Sequence, residues 1–129
     1  MMSESKPRKS VLLLEDDTSM AELIISGLEN EFVVERAASA EEAHLLIAAR
    51  PFDVLLCDHM MPGVQQGLDF LVQARERYPA ARRVLLTGYM NPDLISRSIA
   101  VAELSACLMK PIQLVELRRT LHQILGLGY

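Results

Sequence analysis

The sequence has few aromatic residues, few cysteines and no long apolar run. Its 129 residues include three Phe, three Tyr and no Trp, so a core must be built mainly from aliphatic side chains. Cys57 and Cys107 lack metal-site spacing, which argues against zinc, and a pair of apolar-run cysteines favours a reducing compartment. No apolar stretch approaches the roughly 20 residues that span a bilayer, and residues 1–9 are polar, without a signal-peptide core. We therefore expect a cytoplasmic protein without a membrane segment.

Positive charge is also in deficit. Lys and Arg number 13 against 17 Asp and Glu, giving a net charge of −4, so broad attraction to nucleic acid or anionic lipid is not expected. The basic pairs Arg82-Arg83 and Arg118-Arg119 are interpreted as solvated surface. Because 50% of the residues are hydrophobic, the chain should fold. We predict a flexible tail at 1–9, one domain at 10–126, and a C-terminal end or linker stub at 127–129.

Short apolar runs alternate with amphipathic stretches along the whole chain. The predicted strands are 11–14, 32–34, 54–57, 84–86 and 106–109. The predicted helices are 19–28, 39–50, 67–78, one that starts at 92, and 114–125. Capping-box patterns, Ser19 with Glu22 and Ser39 with Glu42, mark two of the helix starts. Five strand–helix pairs in strict alternation predict an α/β fold: a parallel five-stranded sheet with helices on both faces.

Polar side chains follow four of the predicted strands, at the edge where ligands bind in open parallel sheets. They are Glu15 and Asp16 after strand one, Asp58 after strand three, Thr87 after strand four and Lys110 after strand five. Two like charges roughly 4 Å apart repel by about 4 kcal/mol at an effective dielectric constant near 20. A cluster of carboxylates is therefore expected to hold a cation, and oxygen-only ligands favour Mg²⁺.

The same residues are suited to phosphoryl transfer. Mg²⁺ and the Lys110 ammonium would neutralise an incoming phosphoryl group, and Thr87 offers it a hydroxyl donor. Asp58 is the best candidate nucleophile because its carboxylate can form an acyl phosphate. His59 is interpreted as a surface residue beside this site.

Four short motifs in order resemble the receiver domain of two-component response regulators. They are 11–17 ending in Glu15-Asp16-Asp17, 58–63 beginning with Asp58, Thr87-Gly88 and Lys110-Pro111. The resemblance runs from about residue 9 to 125. It implies a doubly wound, flavodoxin-like (βα)5 fold with strand order 2-1-3-4-5.

The resemblance also implies a role for each matching residue. Asp58 would be the phosphoacceptor, with Thr87 and Lys110 holding phosphoryl oxygens. Mg²⁺ would be bound by Glu15, Asp16, Asp58 and the backbone carbonyl of Met60. Asp17 would be structural, as a helix cap.

The implied partners are a histidine kinase or phosphotransfer protein that donates the phosphoryl group, and a downstream effector protein or domain. Direct nucleic-acid binding by this domain and membrane binding are not expected, and the sequence does not decide between a monomer and a homodimer. The readout surface would comprise helix four, strand five and helix five. The protein would catalyse only its own phosphorylation and dephosphorylation.

Cys107 is one of the positions that depart from the family pattern, and other functions remain open. Cys107 stands where the family usually has Tyr or Phe, so the usual aromatic switch is missing; Tyr89 is one candidate replacement. A phosphate-independent interaction module with the same fold is an alternative function. A haloacid-type phosphatase would need a second Asp where Met60 stands. A flavin carrier would not place Glu15 and its acidic neighbours beside the cofactor phosphate.

Overall fold

A computed structural model of the chain describes residues 7–59, 67–88 and 92–127, without the side chains of Pro92, Leu94 and Ile95. Within these residues, strands and helices alternate strictly. The strands are β1 Ser10–Leu14, β2 Val33–Ala37, β3 Val54–Asp58, β4 Arg82–Thr87 and β5 Ala106–Met109. The helices are α1 Thr18–Leu28, α2 Ala40–Ala49, α3 Gly67–Arg77, α4 Pro92–Ala102 and α5 Leu114–Leu125. All strand pairs are parallel and their order is β2-β1-β3-β4-β5, which confirms the predicted fold.

The sheet separates two apolar layers because successive strand residues point to opposite faces. Leu12 and Leu14 of β1 pack with residues of α2 and α3, whereas Val11 and Leu13 pack with residues of α1 and α5. β3 lies between β1 and β4, and all five of its residues are buried. Its last residue is Asp58, so the predicted phosphoacceptor lies at the end of an interior strand that is buried on both faces of the sheet.

Helix starts partly follow the sequence patterns. The Ser39–Glu42 pattern is confirmed: the Ser39 hydroxyl accepts the Glu42 N–H at 3.2 Å, and Glu42 Oε1 accepts the Ala38 N–H at 3.2 Å. The Ser19–Glu22 pattern is wrong as a cap. α1 begins at Thr18, and the carboxylate of Asp17 accepts the Met20 N–H at 3.0 Å. The predicted structural role of Asp17 as a helix cap is thus confirmed.

Arg83 corrects the interpretation of the basic pairs as solvated surface. Arg82 is exposed, but Arg83 is only 7% exposed and donates to main-chain carbonyls. The acceptors are the carbonyls of Ala102 at 2.9 Å, Ala81 at 2.7 Å, Glu103 at 3.2 Å and Pro79 at 3.3 Å. Arg75 of α3 adds a bond to the Val101 carbonyl at 2.9 Å and pairs with the Glu103 carboxylate at 3.0 Å. Two guanidinium groups therefore hold the C-terminal end of α4.

Candidate functional site

The carboxyl ends of the strands bring the predicted site residues to one edge of the sheet. Leu14 of β1 lies opposite Cys57 of β3, and Asp58 lies opposite Leu86 of β4. The residues that continue from these ends are Glu15 and Asp16 after β1, Thr87 at the end of β4 and Lys110 after β5. The parallel register therefore places residues from separate parts of the sequence at one edge of the sheet.

Three carboxylates meet at this edge. One oxygen from each of Glu15, Asp16 and Asp58 lies within 4.8 Å of the other two. Glu15 is 1% exposed and Asp58 is 3% exposed, whereas Asp16 is half-buried. Water cannot relieve the mutual repulsion of two enclosed carboxylates, so a proton or a cation must do so.

Lys110 provides one of the balancing charges. Lys110 lies in the loop that directly follows β5, and its Nζ is 2.8 Å from Asp58 Oδ1. The backbone N–H of Lys110 donates to the Thr87 carbonyl at 2.8 Å, which fixes the start of this loop against β4. Nζ and Oδ1 form an ion pair, and Oδ1 accepts no hydrogen bond from the described residues.

A proton on Glu15 provides a second means of balance. Burial raises the pKa of Glu15 from 4.5 to about 7, and the charge of Asp58 adds to this effect. The Asp17 backbone N–H, which donates to Glu15 Oε2 at 3.2 Å, and the Lys110 ammonium oppose the rise in pKa. Below neutral pH, the folded protein therefore holds this carboxyl group in its neutral form.

The oxygen atoms at this edge of the sheet are suitable ligands for Mg²⁺. Glu15 Oε1 and Asp58 Oδ1 are buried oxygens without a hydrogen-bond donor among the described residues. Buried acceptors without donors are costly, and a hard dication that prefers carboxylate oxygens would satisfy both. Asp16 contributes a carboxylate that solvent and a ligand can reach. Met60, whose carbonyl was predicted as a further ligand, lies outside the described residues.

The sequence interpretation missed Arg36. Its Nε donates to the Glu15 carbonyl at 3.0 Å and its Nη2 donates to the Asp16 carbonyl at 3.0 Å. The predicted second strand stopped at residue 34, whereas β2 continues to Ala37 and carries Arg36 toward the site. A basic residue two positions after an apolar run, on the strand next to β1, was the available signal.

Gly67 is a second residue that the sequence interpretation did not assign to the site. It begins α3 and is buried against the end of β3. A Cβ atom at this position would overlap the carbonyl group of Asp58. Only glycine permits this close approach of α3 to the backbone of the candidate phosphoacceptor.

The remaining predicted positions lie around these residues. Thr87 is 3% exposed and ends β4 next to Asp58. Tyr89, the candidate replacement for the aromatic switch, lies outside the described residues. Cys107 is half-buried, packs against the apolar layer that contains Leu12, and has its thiol pKa raised by burial. Its bulk is small and its thiol stays protonated, so it supplies neither an aromatic ring nor a reactive thiolate.

Comparison with known proteins identifies the family to which this geometry belongs. The family described as "Response regulator receiver domain" matches residues 11–122, most of the chain. The chain belongs to the response regulator receiver family. Receiver domains are signalling modules of two-component systems rather than conventional enzymes, and the site described above is consistent with phosphoryl acceptance.

Several relatives and solved structures of receivers resemble this chain. The hydrogenase transcriptional regulatory protein HoxA of Cupriavidus necator is 34% identical over 83% of this chain and 22% of its own length. The photosynthetic apparatus regulatory protein RegA of Cereibacter sphaeroides is 32% identical over 88% of this chain and 61% of its own length. A signal receiver domain of an HD domain-containing protein from Pseudomonas fluorescens Pf-5 is 27% identical, with a TM-score of 0.86 over 93% of this chain and 96% of that structure.

The relatives are longer than this receiver. The chain spans less than a quarter of HoxA and about three fifths of RegA, so their activities as whole proteins concern more than the matched region. Among the described residues of the receiver, no helix combines the length and apolar character that crossing a membrane requires.

Proposed function

We propose that this receiver accepts a phosphoryl group on Asp58 from a phosphohistidine of a histidine kinase or phosphotransfer protein. The observation that supports the proposal most directly is the Lys110 ammonium, which lies 2.8 Å from Asp58 Oδ1 beside two further carboxylates. A half-buried lysine paired with one member of an acidic cluster is suited to hold an anion there. An acidic cluster without that cation would repel a phosphoryl group.

In the proposed reaction, an oxygen of the Asp58 carboxylate attacks phosphorus. The P–N bond of the phosphohistidine breaks, its electron pair stays on the imidazole, and a P–O bond to Asp58 forms. Glu15, Asp16, Asp58 and the Met60 carbonyl would hold Mg²⁺, which supplies charge neutralisation for the phosphoryl oxygens. Thr87 and Lys110 would donate to phosphoryl oxygens, since Thr87 ends β4 and Lys110 follows β5 at the same edge of the sheet as Asp58.

The acyl phosphate adds a dianionic group where one carboxylate stood. Its oxygens would draw the Thr87 hydroxyl and the Lys110 ammonium toward Asp58, and shift an existing equilibrium between two conformations. The proposed readout surface comprises α4, β5 and α5, because Thr87 ends β4 and Lys110 directly follows β5. A downstream effector would recognise this surface. Because the full chain has a net charge of −4, the domain is not proposed to bind nucleic acid itself.

We also propose residues 10–126 as the receiver domain and the cytoplasm as its location. Cys57 and Cys107 are free thiols. β4 lies between their strands, with Leu85 opposite both residues, which places them too far apart for a disulfide. Finding the protein in an exported fraction would contradict this location.

The test is phosphorylation by acetyl phosphate with Mg²⁺, followed by intact-protein mass spectrometry. Wild type should gain one phosphoryl group that hydroxylamine removes, as expected of an acyl phosphate, and Asp58→Asn should gain none. Asp17→Asn is the matched control, because it makes the same change of Asp to Asn in the loop that carries Glu15 and Asp16, and Asn caps helices as well as Asp does. It should be phosphorylated like wild type.

Two results would contradict the proposal. A hydroxylamine-sensitive adduct on Asp58→Asn would assign the acceptor elsewhere. A wild-type protein that gains no phosphoryl group and binds no beryllofluoride would favour the alternative, an interaction module with the receiver fold that signals without phosphate.

A further inference from the structure

Arg36 joins two successive peptide groups of the acidic loop that follows β1. It belongs to β2, the edge strand that pairs with β1, where it lies opposite Leu13. Its guanidinium donates from Nε to the Glu15 carbonyl and from Nη2 to the Asp16 carbonyl, both at 3.0 Å. The planar fork of a guanidinium suits such paired acceptors, whereas an ammonium is a point donor.

Other contacts fix the amide groups of the same loop. The Glu15 N–H donates to the Ala37 carbonyl at 3.0 Å, which extends the pairing of β1 with β2 by one step. The Asp17 N–H donates to Glu15 Oε2 at 3.2 Å, and the Asp17 carboxylate caps α1. These contacts restrain the N–H side of the loop, and Arg36 restrains the carbonyl side. Together they set the directions in which the Glu15 and Asp16 side chains leave the backbone.

We propose that Arg36 is a positioning residue, whose two bonds to the Glu15 and Asp16 carbonyls hold the acidic pair in the geometry that binds a divalent cation. This inference rests on the proposed function, since it assigns Arg36 a role in the metal site of that reaction. Arg36 acts through the backbone and touches neither the cation nor the phosphoryl group.

A charge effect of Arg36 would have the opposite sign. A guanidinium near the site repels a dication, so its removal would tighten Mg²⁺ binding if charge alone mattered. If Arg36 orients the ligands, its removal weakens binding, as with other residues that hold metal ligands in place. The direction of the change therefore separates the two roles.

The experiment is calorimetric titration of the chain with Mg²⁺, without any phosphoryl donor. We expect Arg36→Gln to raise the dissociation constant about tenfold relative to wild type. Arg36→Lys keeps the charge but loses the fork, and should lie between the two. Arg82→Gln is the matched control: it removes a guanidinium from an exposed position at the amino end of β4, and should bind Mg²⁺ like wild type. Asp16→Asn, which removes a proposed ligand, should weaken binding strongly.

The outcomes distinguish this inference from the proposed function. If wild type binds Mg²⁺, Asp16→Asn does not, and Arg36→Gln binds as tightly as wild type or tighter, the positioning role is refuted and the metal site stands. If wild type binds no Mg²⁺, or Asp16→Asn binds it equally well, the metal site fails and the role of Arg36 fails with it.

A measurement on the unaltered protein covers the case in which Arg36→Gln does not fold. The Nε–H of Arg36 should give a proton resonance protected from solvent exchange, because it donates to the Glu15 carbonyl. Adding Mg²⁺ should shift that resonance. Rapid exchange of the Nε–H, or a resonance that Mg²⁺ leaves unmoved, would overturn the positioning role.

Discussion

Replacement of Glu15 by Gln should stabilise the metal-free protein at alkaline pH and leave it unchanged at acidic pH. Glu15 is 1% exposed, and its Oε1 has no hydrogen-bond donor among the described residues. Burial raises its pKa from 4.5 to about 7. Glutamine has the shape of the neutral glutamic acid and cannot ionise, so the variant isolates the free energy of charging this buried group.

The sign follows from proton binding. Below pH 4.5 both states are protonated, so ionisation of Glu15 does not affect stability. Between 4.5 and about 7 the folded protein keeps a proton that the unfolded chain has lost, so stability falls as pH rises. Above about 7 the loss is complete, and the rise of the pKa from 4.5 corresponds to about 3 kcal/mol at about 1.4 kcal/mol per pH unit.

The assay is urea denaturation followed by circular dichroism, with a chelator present, at pH 4 and pH 8. Glu15→Gln should exceed wild type in free energy of unfolding by about 3 kcal/mol at pH 8 and by little at pH 4. Glu22→Gln, which removes an exposed carboxylate from α1, is the control and should change little at either pH. An equal effect of Glu15→Gln at both pH values, or a loss of stability at pH 8, would refute the reasoning.

Two further substitutions test packing around the site and at the end of α4. Gly67→Ala places a methyl group against the Asp58 carbonyl, so it should lower the free energy of unfolding by about 2 kcal/mol and slow phosphorylation by acetyl phosphate. Gly88→Ala is the control: its methyl group meets open space, so the variant should keep wild-type stability. Arg83→Met leaves buried carbonyls without donors and should cost about 3 kcal/mol in urea denaturation, against less than about 0.5 kcal/mol for Arg82→Met. Equal losses within either pair would contradict the assignment.

The alternation of elements was predictable because buried parallel strands read as continuous apolar runs. β5 and α5 have the predicted bounds, since apolar residues and Gly126 delimit them. β2 and β4 are longer than predicted because they contain charged residues. Arg36 lies on a half-exposed edge strand, and Arg83 is satisfied by carbonyls that only the folded chain brings near.

The sequence was enough to predict those site residues that are recognisable by their type and by their position at the end of a strand. Glu15, Asp16, Asp58 and Lys110 meet as expected because the parallel register aligns the strand ends. The contacts that hold them were not predictable, because they join groups distant in sequence through main-chain atoms. Arg36 donates to main-chain carbonyls 20 and 21 residues away, and a pattern of side chains in the sequence cannot predict such a contact.

The position of Asp58 at the end of β3 determines which parts of the molecule can respond to it. β3 pairs with a strand on each side and all of its residues are buried, so the main chain of Asp58 is held in place more firmly than the loops around it. A new charge on a fixed carboxylate cannot relax by moving that strand. If Asp58 accepts a phosphoryl group as proposed, the response would instead involve Thr87 at the end of β4 and Lys110 after β5, and through them α4 and α5, the helices that come next in the chain.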